Sequence, residues 1–179
     1  MKLSGFTDIH CHMLPQVDDG AASMETALAM LDTAYEEGIR NIIFTPHYHG
    51  GHCEPSPELL SQTYTAFVQR AADRYGDMKF YEGSEIYYYA SVPQWIEEGK
   101  VRTMAGSSYV LLEFSPGVSL RELNGAVNNL TANGHFPILA HTERYQCLYG
   151  AFGEIKGLIA KGAYIQVNAE AISGEDSWK

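Results

Sequence analysis

Short apolar runs alternate with amphipathic segments along the whole chain, and this alternation limits the possible fold more than any other feature. FTDIHCH (6–12), RNIIFTPH (40–47), KFYEGSEIYY (79–88), YVLLEF (109–114), FPILAHTER (136–144) and AYIQVNAEAI (163–172) read as strands, because β-branched and aromatic residues fit a pleated surface. Between them, METALAMLDTAYEEG (24–38) sets Leu28, Leu31, Ala34 and Tyr35 on one helical face. PELLSQTYTAFVQRAADRYG (57–76) does the same with Leu60, Tyr64, Phe67, Val68, Ala71 and Tyr75, and SLRELNGAVNNLTANG (119–134) with Leu120, Leu123, Val127 and Leu130. That spacing is helical. A shorter helix is expected over GEIKGLIAKG (153–162), and Gly38 is placed to stop the first one. Repeated β then α, with strands that are apolar almost throughout, predicts a parallel sheet covered by helices. No repeat, linker or low-complexity stretch interrupts the pattern, and 179 residues suffice for one domain with a sizeable core.

An open doubly wound sheet and a barrel both satisfy this order. Polar residues at the C-terminal ends of five of the six expected strands favour the barrel-like sheet, because that rim is where β/α barrels collect their chemistry. A glycine-rich phosphate loop after the first strand is missing, which weakens the nucleotide-binding open sheet.

The strand ends supply one kind of chemistry. In TDIHCHMLPQVDDG (7–20), His10 and His12 are two apart on a strand and face the same side, together with Asp8. His47 ends the second strand, Glu85 lies on the third, Glu113 ends the fourth and His141 the fifth, while Asp19 can swing over the same mouth from the first loop. Singly, each has an ordinary reading as a rim or core residue, though a carboxylate inside the apolar run LLEF is costly unless it is paired or metal-bound. Recurring once per strand end, the seven form a candidate metal site. Imidazole and carboxylate donors without thiolate suit zinc, manganese or iron. There are more donors than one ion needs, which implies at least two ions. Such a cluster suits phosphate-ester hydrolysis: one ion lowers the pKa of water to make hydroxide, and the others clamp phosphoryl oxygens.

The charge balance bears on the substrate. A formal net charge of −10 and a pI near 5.0 argue against nucleic acid or an anionic membrane as partner. An anionic substrate would need bound cations to invert the local field. Cys11, Cys53 and Cys147 are odd in number and contain no CxxC pair, so a reducing compartment is expected. None of them has an arginine six positions on, which sets aside a cysteine-nucleophile phosphatase loop. Cys11 should face away from its flanking histidines and pack. The start MKLSGFTDIH has no apolar signal-peptide core, and no run approaches the ~18 apolar residues of a spanning helix. The expected location is cytoplasmic.

DIHCHMLPQVDDGA, TPHYHG, GSEIYY, LLEF and ILAHTERY resemble, in order and spacing, the polymerase and histidinol phosphatase (PHP) superfamily. They are most similar to its bacterial manganese-dependent protein-tyrosine phosphatases of capsule and exopolysaccharide synthesis. The resemblance spans essentially the whole chain and implies a distorted (β/α)7 barrel with a trinuclear metal site. It implies that His10, His12, Asp19, His47, Glu85, Glu113 and His141 are metal ligands. They would hold up to three divalent ions, manganese first, with iron or zinc as alternatives. Arg144 falls on the arginine of the family's HPER element and is implied to bind substrate phosphate, a role suited to a planar guanidinium. The bland alternative pairs it with Glu143. The implied partner is a phosphotyrosine protein, a tyrosine autokinase of polysaccharide export, with neither nucleic acid nor membrane insertion and with oligomerisation left open.

Two departures from the family pattern stand out. Thr142 occupies the place of the usual proline. The family's last strand carries an Asp-x-His pair, and the chain reaches AISGEDSWK (171–179) without one. The expectation is therefore a single domain over 1–179, of about six β/α units, incomplete at its C-terminal end. It should have two unpaired sheet edges, fewer metals than a full-length relative, and weaker activity. The alternative functions are a small-molecule phosphomonoesterase of histidinol-phosphatase type and an inactive fragment acting as a binding module. Two further features carry donors or rings: HYHGGHCEP (47–55), with His49, His52 and Cys53 as a second possible metal site, and Tyr87, Tyr88 and Tyr89 as rings that could stack on an aromatic substrate.

Overall fold

The computed structural model describes residues 4–173; for 174–179, the expectation about a final Asp-x-His pair lies outside the described residues. Eight parallel strand segments run in chain order: β1 (Phe6–Cys11), β2 (Ile39–Phe44), β3 (His47–Tyr48), β4 (Lys79–Glu82), β5 (Glu85–Tyr87), β6 (Tyr109–Glu113), β7 (Phe136–Leu139) and β8 (Tyr164–Ile165). They pair as β1-β2-β4 and as β3-β5-β6-β7-β8. Because β2 and β3 are successive pieces of one strand, and β4 and β5 of the next, the two sets form one surface of six strands in sequence order.

The breaks differ from the continuous runs that the sequence pattern predicts, and each has a local cause. Pro46 has no N–H for the ladder, yet its carbonyl accepts from the Glu85 amide at 3.0 Å, and the Gly83 amide donates to the Phe44 carbonyl at 2.8 Å. A Cβ on Gly83 would sit 3.0 Å from Ile43 and 3.1 Å from the Met104 sulfur. The sheet therefore bends at Thr45–Pro46 and Gly83–Ser84 while pairing resumes beyond, with His47 opposite Glu85. The fifth and sixth strands are also shorter than expected. β7 ends at Leu139 because His141 takes a left-handed conformation at φ 52°, which starts a 3-10 turn over Thr142–Arg144. β8 gives way to a short helix.

Helices α1 (Met24–Glu37), α2 (Pro57–Ala72), α3 (Val92–Glu97), α4 (Leu120–Ala132) and α5 (Phe152–Ala160) lie between the strands, and α6 (Ala169–Ser173) follows β8. α3 is too short for the sequence pattern to reveal. The three long helices start at serine caps. Ser23 accepts from the Thr26 amide, Ser56 from the Leu59 amide, and Ser119 forms a reciprocal capping box with Glu122. Gly38 closes α1 in the left-handed region at φ 99°.

Burial on both sheet faces follows the parallel topology. Leu28, Leu31, Ile42, Phe44, Leu60 and Phe67 make one cluster under α1 and α2. Ile86, Val110, Leu112, Leu123, Val127, Leu130 and Leu139 make a second under α3 and α4. On the other face, Met104, Leu111 and Ala140 pack with Ile43, Tyr109 and Ile138, drawing residues from β2, β6 and β7 together as a curled sheet requires. Among the described residues β1 pairs only with β2 and β8 only with β7. A groove of about 940 Å³ separates β1 from β8, lined by Phe6 to His10 on one side and Tyr164 to Glu170 on the other.

The loop after β1 is a folded part of the core. Met13, Leu14, Val17 and Ala21 are buried in the first cluster, and the Ala21 amide donates to the His12 carbonyl at 3.0 Å. This return path leaves no room at Gly20, where a Cβ would lie 2.1 Å from the His12 carbonyl oxygen. Gly20→Ala is therefore expected to destabilise the fold by about 1–3 kcal/mol through overpacking. Gly117→Ala, where a Cβ meets nothing within 4 Å, should stay within about 0.5 kcal/mol of the parent. Urea unfolding of the two variants checks the contrast; equal midpoints would show that the loop is free to move away.

Candidate metal centre

The site is built around one carboxylate. Glu85 opens β5, its side chain is fully buried, and its neighbours in the sheet are His47 and Leu111. Its Oε2 lies 3.0 Å from His10 Nε2, 3.0 Å from His12 Nε2 and 3.2 Å from His47 Nδ1, and its Oε1 lies 3.0 Å from His141 Nε2. Four imidazoles, two from β1 and the residue just past it, one from β3 and one from the turn after β7, therefore surround one acid. Their rings crowd as well, with centroids 4.6 Å apart for His10 and His141 and 4.3 Å apart for His12 and His47.

The remaining expected donors stand around this centre. Glu113, at the end of β6, brings Oε2 to 3.7 Å from His47 Nδ1. Asp19 is largely exposed and brings Oδ1 to 3.6 Å from His47 Nε2. Three overlapping groups have donor atoms within 4.8 Å of one another: His10, His12 and Glu85; His12, Asp19 and His47; and His47, Glu85 and Glu113. His12, His47 and Glu85 each belong to two of them. His141 stands outside these groups and touches the centre through Glu85. Arg144 follows in the 3-10 turn, with Nε 4.0 Å from Glu143 Oε1, and its charge acts on Glu113.

The electrostatics of the cluster are unusual. Burial pushes the Glu85 carboxyl up, but the closely placed imidazoles of His10, His12 and His141 outweigh it and hold the group well below the ordinary carboxylate range. Burial would depress His12, yet Asp18 and Glu85 raise it to about 10. Glu113 is raised by burial and by the charge of Glu85, against the opposing pull of His47, His141 and Arg144. Even so, His10 Nε2 and both Glu85 oxygens are buried without a hydrogen-bond partner. Buried polar atoms aimed at one another at contact distance without a bond are costly. A divalent cation removes that cost, so the donor set present fits a metal of the imidazole and carboxylate class.

Other features resolve differently. Asp18 is a central contact of the cluster: its Oδ2 accepts from His12 Nδ1 at 2.7 Å and from the His47 amide at 3.0 Å, while Oδ1 accepts from the Gly20 amide at 3.0 Å. Gln166 and Asn168, just past β8, hydrogen-bond to His10 and His141 and were missed by sequence reasoning. Their signal was available: two polar residues two apart in an apolar run, the spacing that singles out His10 and His12. Cys11 faces the core, as expected, with its thiol 3.8 Å from the Ile43 carbonyl. His49 stacks on Tyr87 with centroids 4.2 Å apart and bridges to Cys53 through its backbone. Among the described residues the His49, His52 and Cys53 loop does not form a metal-competent group. Tyr88 packs on Phe114 and accepts a hydrogen bond from Asn129, while Tyr89 packs on Trp95.

Known proteins share this fold. A solved structure described as that of YwqE from Bacillus subtilis and CpsB from Streptococcus pneumoniae, unique metal-dependent tyrosine phosphatases, matches with a TM-score of 0.86 at 28% identity, over 94% of this chain and 68% of that one. In sequence, the tyrosine-protein phosphatase CpsB of Streptococcus pneumoniae is 32% identical over 166 residues, 93% of this chain and 68% of the relative. The tyrosine-protein phosphatase YwqE of Bacillus subtilis is 29% identical over 167 residues, 93% of this chain and 66% of the relative. The family model for capsular polysaccharide synthesis proteins, CpsB/CapC, matches residues 6–179, and the chain belongs to that family.

Proposed function

We propose that this chain is a metal-dependent protein-tyrosine phosphatase of capsular or exopolysaccharide synthesis. The observation that carries the proposal is the buried Glu85 carboxylate ringed by four imidazoles, with contacts of 3.0–3.2 Å. Tyrosine-phosphatase relatives and the CpsB/CapC family support the substrate class. In this reading His10, His12, Asp19, His47, Glu85, Glu113 and His141 hold divalent ions, with manganese the proposed metal. Bound there, such ions supply Lewis acidity and an ionised water at neutral pH.

The chain's own groups do the rest. Glu85 fixes the positions of four rings, and Asp18 holds His12 with Nδ1 as the donor, so that Nε2 faces the centre. Arg144, at the rim near Glu113, binds the phosphate; a guanidinium suits two phosphoryl oxygens at once. The proposed partner is a phosphotyrosyl protein, a tyrosine autokinase of polysaccharide export, met in the cytoplasm. Among the described residues no helix is long and apolar enough to cross a membrane.

Chelator-treated protein given Mn²⁺ should hydrolyse a phosphotyrosyl peptide. His47→Ala and Glu113→Ala should each lower kcat/KM by more than the roughly 10–100-fold that loss of an outer partner costs a metal site. Phosphate release left untouched by both substitutions would mean that the site is wrong. Faster turnover of histidinol phosphate than of the peptide would move the assignment to a small-molecule phosphomonoesterase.

A second prediction concerns the metal-free protein. Raising the His12 pKa from its ordinary value to about 10 makes its protonated form a stabilising one. That contribution is complete below the unfolded-state pKa of about 6.5 and is lost as pH rises through the folded value. In chelator, Tm should therefore fall between pH 7 and pH 10 more steeply for the parent than for His12→Gln. Parallel melting curves would refute it.

A further inference from the structure

The geometry points to Gln166 and Asn168 as positioning residues that fix which nitrogen His10 and His141 present to the centre; this rests on the metal reading above. One hydrogen-bonding group at this site has no freedom. The backbone amide of His141 can only donate, and it lies 2.9 Å from the Gln166 side chain, so the atom facing it is the oxygen Oε1. The other end of that amide is then the Nε2 donor, which lies 3.1 Å from Asn168, so Asn168 turns Oδ1 towards it. The same Oδ1 is 3.0 Å from Nδ1 of the His141 ring. An amide oxygen cannot donate, and the ring must therefore carry its proton on Nδ1. Gln166 Oε1 also faces His10 Nδ1 at 3.4 Å and imposes the same tautomer there.

The consequence lies on the far side of each ring. With Nδ1 protonated, the lone pair is on Nε2, and Nε2 of both rings points at Glu85 at 3.0 Å. Two neutral amides thus do for His10 and His141 what Asp18 does for His12 at 2.7 Å. A neutral partner orients the ring without adding charge to a centre that already holds Glu85, Glu113 and the nearby Asp8.

The amides are themselves anchored. The Gln166 amide donates to the Leu139 carbonyl at 2.9 Å, and the Gln166 carbonyl accepts from the Thr142 amide at 3.1 Å and from its hydroxyl at 2.9 Å. Gln166 and Asn168 are two apart in extended chain and so face the same side. They are placed by the pairing of β8 with β7, and the rings they hold come from β1 and the turn after β7.

The test is Mn²⁺ binding by equilibrium dialysis, together with melting curves of the metal-free proteins. Asn168→Ala and Gln166→Leu should each weaken Mn²⁺ binding by about 10–100-fold. Asn168→Asp keeps the acceptor and should bind at least as tightly as the parent. Parent-like affinity in both Asn168→Ala and Gln166→Leu would overturn the proposal. Should these variants fail to fold, nitrogen NMR of the zinc-loaded parent decides: His10 and His141 are expected to show a protonated Nδ1 and a coordinated Nε2, and coordination through Nδ1 would overturn it. A parent chain that binds neither Mn²⁺ nor Zn²⁺ would instead bring down the metal reading, and this inference with it.

Discussion

The fold at its open end is organised by the need to surround one buried carboxylate. An uncompensated buried charge costs several kcal/mol, and Glu85 is fully buried, so the sheet has to deliver positive or polarisable partners to it from several strands. The two strand breaks are part of how it does so. Pairing stops at Phe44 and Glu82 and resumes at His47 and Glu85 as direct neighbours, which turns the ends of strands two and three inward over the Met104, Leu111 and Ala140 cluster. Beneath the site lies an apolar layer; above it lies the rim.

This placement reconciles an acidic chain with an anionic substrate. The net charge of −10 sets a repulsive field at long range, but field strength inside a cleft depends on the nearest charges. Here four imidazoles and Arg144 gather where the carboxylates are most buried, while Asp19 is exposed at the edge. Cations held among them would change the sign of the local potential without altering the outer surface.

Much of the fold and the grouping of the candidate donors was legible because both follow short periods. Leu123, Val127 and Leu130 are buried as their helical spacing requires, and His10 and His12 share a face because strand side chains alternate. What was not legible depended on local backbone geometry. Pro46 and Gly83 are breakers, but the flanking apolar residues masked them as interruptions. The apolar run up to Ala140 concealed a left-handed His141. Asp18 differs from its neighbour Asp19 only through the backbone path, in which the return of Ala21 onto His12 accompanies the contact of Asp18 with the ring. Gln166 and Asn168 share a spacing of two, but they carry no charge and their contacts span about 25 residues or more of sequence, so the spacing alone does not say what they face.

The turn after β7 shows how a departure from the family pattern acts physically. A non-glycine residue in the left-handed region costs on the order of 1–3 kcal/mol and persists only where its surroundings over-determine it. At His141 the surroundings do so: its amide donates to Gln166, its ring to Asn168, and the next residue, Thr142, donates twice to the Gln166 carbonyl. A proline at 142 has neither the amide hydrogen nor the hydroxyl and could make neither of those last two bonds. It would stiffen the turn through its own ring, whereas threonine ties the turn to the strand that carries the orienting amides. The strained histidine and the residues that direct its ring are thereby held by the same short stretch of backbone.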